Sequence, residues 1–401
     1  MWRALTGEFR PLLTLALPLA LAQLLQAGMT FVDTVMVGRL GGAELAAIAL
    51  GATIYMFVTI LLQGVIFAVG PTVSQAYGAK RYGEVAAAAR QGLWLALFLS
   101  LPAVLFLTNA TPLLLAMGQA PEAALTAGSY LKAAAWGFAP SLLLVALRSF
   151  LEGIGDARPI MWLMGAGLAA NVVLDELLIF GRLGLPELGV VGAGYATAFV
   201  YTLMFVLAAL YVTRYQGRYS ILGGLRAPDW PLLGGLLRLG TPIGLTIGFE
   251  SGLFSATALL MGLVGELQLA AHQVAIQSST MTFTLAVGVA VATSIRVGPA
   301  VGREDRVSAR LAGMAGMCLS VLVMACSAAL FRFAPELIIG IFLDASDPAN
   351  TRVVEYAVLF LGIAATFQIF DGIQVAAAGT LRGYKDTTFP MVISLLAYWV
   401  V

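Results

Sequence analysis

Residues 45–79 read LAAIALGATIYMFVTILLQGVIFAVGPTVSQAYGA, an unbroken charge-free run between Glu44 and Lys80. A helix needs about 20 predominantly apolar residues to cross the hydrocarbon of a bilayer. Comparable runs recur at 11–32, 91–121, 188–213, 267–295 and 311–331. Of the 401 residues, 60% are apolar and 11% charged, against roughly 25% charged in an ordinary soluble domain. The pattern excludes a soluble globular protein and predicts an all-α polytopic membrane protein embedded in a lipid bilayer.

The charge balance removes further classes. With 22 basic and 21 acidic residues the net charge is +1, so the basic footprint that nucleic acid requires is missing and no nucleic-acid partner is expected. The two cysteines, Cys318 and Cys326, share one apolar segment without metal-ligand spacing and read as packing residues. Arg3 and Arg10 precede an apolar stretch too long for a signal-peptide core, which reads as an uncleaved first span.

Gly, Pro and polar punctuation divide the chain into helices near 11–36, 45–73, 85–108, 124–150, 157–180 and 189–213. A second set lies near 231–262, 268–296, 307–333, 350–380 and 387–401. Between the sets, 214–230 gathers Arg214, Arg218, Arg226 and Asp229 with Gly217, Gly223, Gly224 and Pro228, a linker composition. Sliding the second set onto the first by 224 positions pairs Pro18 with Pro242, Gly28 with Gly252, Gly38 with Gly262, Gly41 with Gly265, Gly78 with Gly302 and Gly92 with Gly316. Later the offset becomes 230, so that Leu151, Gly153 and Asp156 meet Leu381, Gly383 and Asp386. Parallel repeats of this kind are a transporter signature. The expected domains are an N-terminal lobe of six spans (1–213), a cytoplasmic linker (214–230) and a C-terminal lobe (231–401) whose eleventh span is cut short. Two pseudo-symmetric six-helix lobes are expected, with the twelfth helix absent from this chain.

Placing the N-terminus in the cytoplasm leaves Arg39, Lys132, Arg182, Arg332 and Arg352 outside and the other seventeen of the 22 basic residues inside. This positive-inside bias alternates loop by loop and points to a multi-pass protein of the inner (plasma) membrane.

Asp33, Asp175, Glu176, Glu250 and Asp371 fall within predicted spans with no Lys or Arg adjacent. An intramembrane carboxylate costs roughly 2.5–3.5 kcal/mol even on insertion scales, so it faces a cavity, pairs, or works. Asn171 and Asp175 are four apart and share a helix face. With Asp33 and Thr197 they form either an oxygen ligand set for a hard cation such as Na⁺ or a proton, or an interhelical hydrogen-bond cluster. Glu250 and Asp371 suggest a second cation or proton site. Pro18 and Pro242 occupy equivalent places in the first helix of each half, where each removes a backbone hydrogen bond and permits a bend. Gln26 and Gln374 are among the residues suited to line a cavity of mixed polarity.

Two motif matches are refused. Gly165-Ala-Gly-Leu-Ala-Ala170 imitates a dinucleotide fingerprint but lies inside a span with no preceding strand. Gly153-Ile-Gly-Asp156 has the form of an intramembrane aspartyl protease motif, yet Arg158 and Pro159 follow at once, and its repeat counterpart Gly383-Tyr-Lys-Asp386 explains it by duplication. The lone His272 reads as a packing or hydrogen-bonding residue rather than a proton relay.

Pro18, the run Phe31-Val-Asp-Thr-Val-Met-Val-Gly-Arg-Leu-Gly41, Gly78-Ala-Lys-Arg81, Glu152-Gly-Ile-Gly-Asp156, Asn171 onward and Leu381-Arg-Gly-Tyr-Lys-Asp386 together resemble the multidrug and toxic compound extrusion (MATE) transporters, over essentially the whole chain. The resemblance implies two six-helix lobes around a central cavity and export of cationic or amphiphilic drugs in exchange for Na⁺ or H⁺. It implies an N-lobe site of Asp33, Asn171, Asp175 and Thr197 and a C-lobe site of Glu250 and Asp371. Asp175 stands where many NorM-like members carry Asn, and Phe367 where a Tyr commonly precedes the C-lobe Asp by four. Acids in both lobes favour the NorM-like branch.

The expectation is therefore a cation-coupled multidrug antiporter working by alternating access as a monomer, with small-molecule drugs or organic cations as partners and no cofactor beyond the coupling ion. The competing expectation is a lipid-linked precursor flippase of related design, which needs basic residues to meet phosphates. An intramembrane enzyme requires a catalytic constellation that the sequence does not offer.

Overall fold

The computed structural model describes residues 2–184, 186–224, 227–343 and 350–400, with backbone only for 2–6, 42 and 43. Arg226 of the expected linker lies outside the described residues, as does the side chain of Arg3. Fifteen α-helices follow one another among these residues: α1 (Trp2–Gly38), α2 (Gly42–Ile66), α3 (Val69–Gly78), α4 (Tyr82–Thr108), α5 (Thr111–Ala116), α6 (Pro121–Ala134), α7 (Phe138–Gly153), α8 (Arg158–Ile179), α9 (Gly189–Tyr215), α10 (Trp230–Val264), α11 (Glu266–Gly302), α12 (Arg306–Phe333), α13 (Pro335–Phe342), α14 (Thr351–Gly383) and α15 (Thr388–Trp399). No strand occurs among the described residues. Ten helical segments are long and apolar enough to cross a membrane, α2 with α3 and α6 with α7 each counting as one, and α15 is a shorter apolar helix. The fold is an all-α, polytopic membrane architecture. Each of the eleven charge-poor runs corresponds to a helix or a closely spaced helix pair.

The sequence expectation omitted α5 and α13, which begin 224 residues apart at Thr111 and Pro335. The duplication also shows in backbone geometry. Gly41 and Gly265 precede α2 and α11 with φ of 148° and 159°, open to glycine because it carries no Cβ. Lys80 and Glu304 end α3 and α11 in the left-handed region, at φ 59° and 60°. The next amide closes the turn in each case: Arg81 N donates to the Ala76 carbonyl and Asp305 N to the Ala300 carbonyl, both at 2.9 Å. Gly155 and Lys385 repeat the device at the later offset, with φ 81° and 63°. The next turn begins differently in the two copies. Arg81 pairs with Glu84 at 3.0 Å on the surface. Asp305 caps α12 by accepting from Ser308 N at 3.0 Å, and hydrogen bonds from Ser308 hold its carboxyl below the usual aspartate range.

Two compact units result, and they differ from the sequence halves. One, here the central unit, is Leu25–Gly248; the other, the terminal unit, joins Met1–Leu24 to Phe249–Val401. Both boundaries fall inside helices, α1 and α10, at positions 224 apart and six residues beyond Pro18 and Pro242. The helices continue through both prolines. The boundaries of these units therefore lie in α1 and α10. Close packing explains the exchange of helix segments. In the central unit Gly64 of α2 lies against the backbone of Gly244 in α10; in the terminal unit Gly288 of α11 lies against Ala20 of α1. Those residues are repeat counterparts, and without a large side chain at either position two backbones can approach.

Small residues set the packing elsewhere too. In the central unit Gly92 of α4 faces Val69 and Gly153 of α7 faces Val73; in the terminal unit the counterparts Gly316 and Gly383 face Thr293 and Val297. The terminal unit is built on α11, α12 and α14. Ala271, Phe331, Ile339, Ala357 and Leu361 are buried in one of its apolar clusters. His272 sits beside that cluster with its ring edge-on to Phe360, a packing position in which Nε2 has no hydrogen-bond partner.

Candidate functional site

In the central unit the last turns of α1 carry Asp33, α8 carries Asn171 and Asp175 one turn apart, and α9 carries Thr197. Asn171 Nδ2 donates to Asp33 Oδ1 at 2.7 Å, and the Asp33 and Asp175 carboxyls lie within reach of one another. Asp175 is completely buried and Asn171 nearly so. Both Asp175 oxygens and Asn171 Oδ1 lack a hydrogen-bond partner. Two carboxylates have no hydrogen to offer each other, so the pair closes only around an added proton or cation. Thr197 spends its hydroxyl hydrogen on the Ala193 carbonyl at 3.0 Å, which leaves an oxygen lone pair free.

Three tyrosines complete this cluster, and none was singled out from the sequence. Tyr130 of α6 lies beside Thr197 and in the field of Asp33 and Asp175; Tyr201 of α9 feels Asp33. Tyr55 of α2 stands near Tyr130 and Tyr201, with its ring edge-on to Phe138 at 5.7 Å. The available signal was a phenol in an otherwise dry run, since a buried Tyr tip usually seeks a partner.

Glu250 and Asp371 also come together, within the terminal unit. Glu250 of α10 feels the charge of Asp371 on α14 and of Arg382 near the end of that helix. Tyr398 of α15 is close to both acids and donates to Gln374 Oε1 at 2.8 Å. The structure thus adds Arg382 and Tyr398 to the expected pair, and Gln374 is held rather than free.

Glu176 is not an unpaired membrane acid. It binds Arg182, in the turn just beyond α8, at 2.6 Å. Gln26 accepts from Arg148 at 3.3 Å. Arg148 in turn makes a buried ion pair with Glu152 at 2.8 Å, one turn on along α7. Asp156 accepts from Tyr211 at 3.0 Å and Gln216 at 3.1 Å, tying the end of α9 in place. That structural role agrees with refusing the protease motif. Among the described residues no group of three or more His, Cys, Asp and Glu forms a metal centre.

The MatE family model matches the chain twice, over residues 18–177 and 242–401, starting at the two equivalent prolines. The probable multidrug resistance protein NorM of Pseudomonas aeruginosa is 43% identical over 397 residues, covering 98% of this chain and 81% of that protein. A protein of the same description from Mesorhizobium japonicum is 39% identical over 405 residues, covering 100% and 86%. Among solved structures, the eukaryotic MATE transporter AtDTX14 superposes with a TM-score of 0.86 at 22% identity, covering 99% of this chain and 87% of that one. A MATE structure in complex with MaL6 gives 0.89 at 21% identity, covering 98% and 87%. The latter two show the shared fold, while the family model and the sequence relatives fix the membership: the chain belongs to the MatE family of membrane transporters.

Proposed function

We propose that the protein is a multidrug exporter of the inner membrane that moves cationic or amphiphilic compounds outward in exchange for H⁺ or Na⁺. The observation that carries this reading is the Asp33–Asp175 pair. A fully buried carboxylate, Asp175, and a half-buried one, Asp33, lie within reach of one another, Asn171 donates to Asp33, and no cationic side chain pairs with either among the described residues. Like charges that close repel when both are ionised, and one bound proton or Na⁺ relieves the repulsion. The site therefore gains from taking up a small cation, as an exchanger requires. Relatives described as multidrug resistance proteins support the substrate class.

Asn171, Asp175 and Thr197 hold the ion with Asp33 in this reading. Glu250 and Asp371 offer a second site. Pro18 and Pro242 supply bendable points in α1 and α10. The N-terminus and 214–230 face the cytoplasm, supported by the seventeen-to-five distribution of basic residues. Ethidium flux into everted vesicles under imposed proton or sodium gradients tests the function. The expected outcome is uptake driven by one of the two gradients and lost in Asp33→Asn. Gradient-independent ethidium movement, or movement of a lipid-linked precursor instead, overturns it. Labelling of Gly223→Cys only after the membrane is opened is the expected outcome for the orientation.

A further inference from the structure

Tyr55 and Thr59 lie one turn apart on one face of α2, and both are buried. Thr59 Oγ1 has no hydrogen-bond partner, and the Tyr55 hydroxyl makes no bond of good geometry, with only Ser141 close enough to offer one. Other buried threonines of this chain behave differently: Thr197, Thr246 and Thr293 each donate to the carbonyl four residues back, at 3.0, 2.8 and 2.7 Å. Thr59 leaves that ordinary bond unmade. Ser141 of α7 stands beside Tyr55, and its hydroxyl donates to the Phe138 carbonyl at 2.7 Å, so its oxygen is available as an acceptor.

These groups are placed in sequence along the central unit. Tyr55 lies next to Tyr130 and Tyr201, in the field of Asp33, at the upper end. Contacts of Tyr55 with Phe138, of Gly70 with Ser149 and of Gly153 with Val73 show that α7 runs alongside α2 and α3 in the same direction. Ser141, Arg148 and Glu152 share a face of α7, with Arg148 about 10 Å beyond Ser141 at 1.5 Å per residue. Thr59 lies about 6 Å beyond Tyr55 on the same measure. Descending, the charged and titratable groups are Asp33 and Asp175, then Tyr130 and Tyr201, then Tyr55, then Arg148 with its partners Glu152 and Gln26.

We propose that Tyr55 and Thr59 relay protons between the Asp33–Asp175 pair and the Arg148–Glu152 end of the central unit, with ordered water completing the chain. This rests on the reading of that pair as an ion site, and it commits the site to H⁺. A hydroxyl both donates and accepts. A proton arriving on its lone pair releases the hydroxyl's own hydrogen to the next acceptor, so each residue ends unchanged. The proton leaves the carboxylate pair and reaches water beside Glu152. Buried hydroxyls with no protein partner normally hold structural water.

The test uses the full-length protein in proteoliposomes, with ethidium as substrate and a proton gradient as driver. Tyr55→Phe keeps the ring against Phe138, and Thr59→Val keeps the volume. Each is expected to slow proton-driven ethidium transport about tenfold, with equilibrium ethidium binding and melting temperature unchanged and a larger rate decrease in D₂O. Thr59→Ser, which restores the hydroxyl, is expected to recover the rate, which a purely packing role would not predict. Transport within about twofold of the parent in both variants, with an unaltered D₂O effect, overturns the relay while loss of transport in Asp33→Asn leaves the ion site standing. Intact transport in Asp33→Asn, or transport driven by Na⁺ and indifferent to pH, overturns the relay as well, the former together with the ion-site reading.

Discussion

In the central unit the second membrane segment breaks between α2 and α3, at Phe67 and Ala68, and the fourth breaks at a 3₁₀ turn, Ala135–Gly137. The counterparts in the terminal unit, α11 and α14, run through the same places without interruption. A short 3₁₀ stretch inside a long helix often marks a functional point. Here it separates Tyr130 from Phe138, and Gly137 lies against the backbone of Ala198 on α9, one residue from Thr197. The acids differ in the same sense. Asp33 and Asp175 share their surroundings with phenols, whereas Glu250 has Arg382 in its field. One copy of the duplicated scaffold stays regular and carries part of its own counter-charge; the other breaks its helices around an acid pair with no cationic partner among the described residues.

The largest expected effect breaks the comparison outright. Asp33→Asn and Asp175→Asn are each expected to reduce gradient-driven efflux about a thousandfold, the range in which acid–base groups act. Asp371→Asn is expected to cost only about tenfold, because Glu250 retains Arg382. Ethidium flux in proteoliposomes checks both, and equal losses at the two sites would erase the distinction. Next come the internal ion pairs. Removing one partner of the buried Arg148–Glu152 pair, as in Arg148→Met, is expected to destabilise the protein by about 3–5 kcal/mol. Glu8→Gln, which breaks the more exposed 2.7 Å pair with Arg296 in the terminal unit, is expected to cost at most about 1 kcal/mol. Melting in detergent with and without denaturant measures both.

Smaller effects sharpen the comparison where the copies agree. Gly64→Ala and Gly288→Ala push a Cβ into the same helix crossing in each unit, and each is expected to cost about 1–3 kcal/mol by overpacking. A cost confined to one of them would show that the crossings are not equivalent. The smallest effect concerns the corners. The Asp305 carboxyl is held below its usual range in the folded chain, so its contribution is present above the ordinary aspartate value and is lost as pH falls through the folded one. Asp305→Ala is expected to lower the melting temperature slightly at pH 7, by an amount that shrinks as the pH is taken down through the acid range. Arg81→Ala, at the equivalent corner, is expected to change little at neutral pH because its ion pair is exposed.

Much of this was legible in the residues. Lipid demands long dry helices, so the eleven runs announced themselves, and the spacing of Pro18 and Pro242, or Gly41 and Gly265, recorded the duplication. Asp33, Asn171 and Asp175 could be grouped because two share a helix face and acids are costly in a membrane. Tyr55, Tyr130, Tyr201 and Tyr398 could not, since a tyrosine in an apolar run reads as packing until its neighbours from other helices are known. Arg382 stood among the loop cations, and only the length of α14 brings it into the field of Glu250. Glu176 lies near the end of α8, where the sequence leaves both a membrane and an interfacial position open, and only the turn that follows shows its partner, Arg182. Nothing local to Leu24 or Gly248 marks the passage of α1 and α10 between units; that follows from close approaches between distant segments.

That passage has a consequence for biogenesis. Residues 1–24 are made before the central unit, yet the unit that uses them resumes only at Phe249. At synthesis rates of about 5–20 residues per second, the front of α1 waits roughly 10–45 s for its partners while the intervening chain is made. During that interval the surface of α1 that will meet Gly288 is covered by lipid or by the insertion machinery, and α10 reaches the central unit as its last piece. The central unit, Leu25–Gly248, is therefore whole while the terminal unit still consists of its first 24 residues, and a chain halted at that point leaves only the terminal unit unfinished.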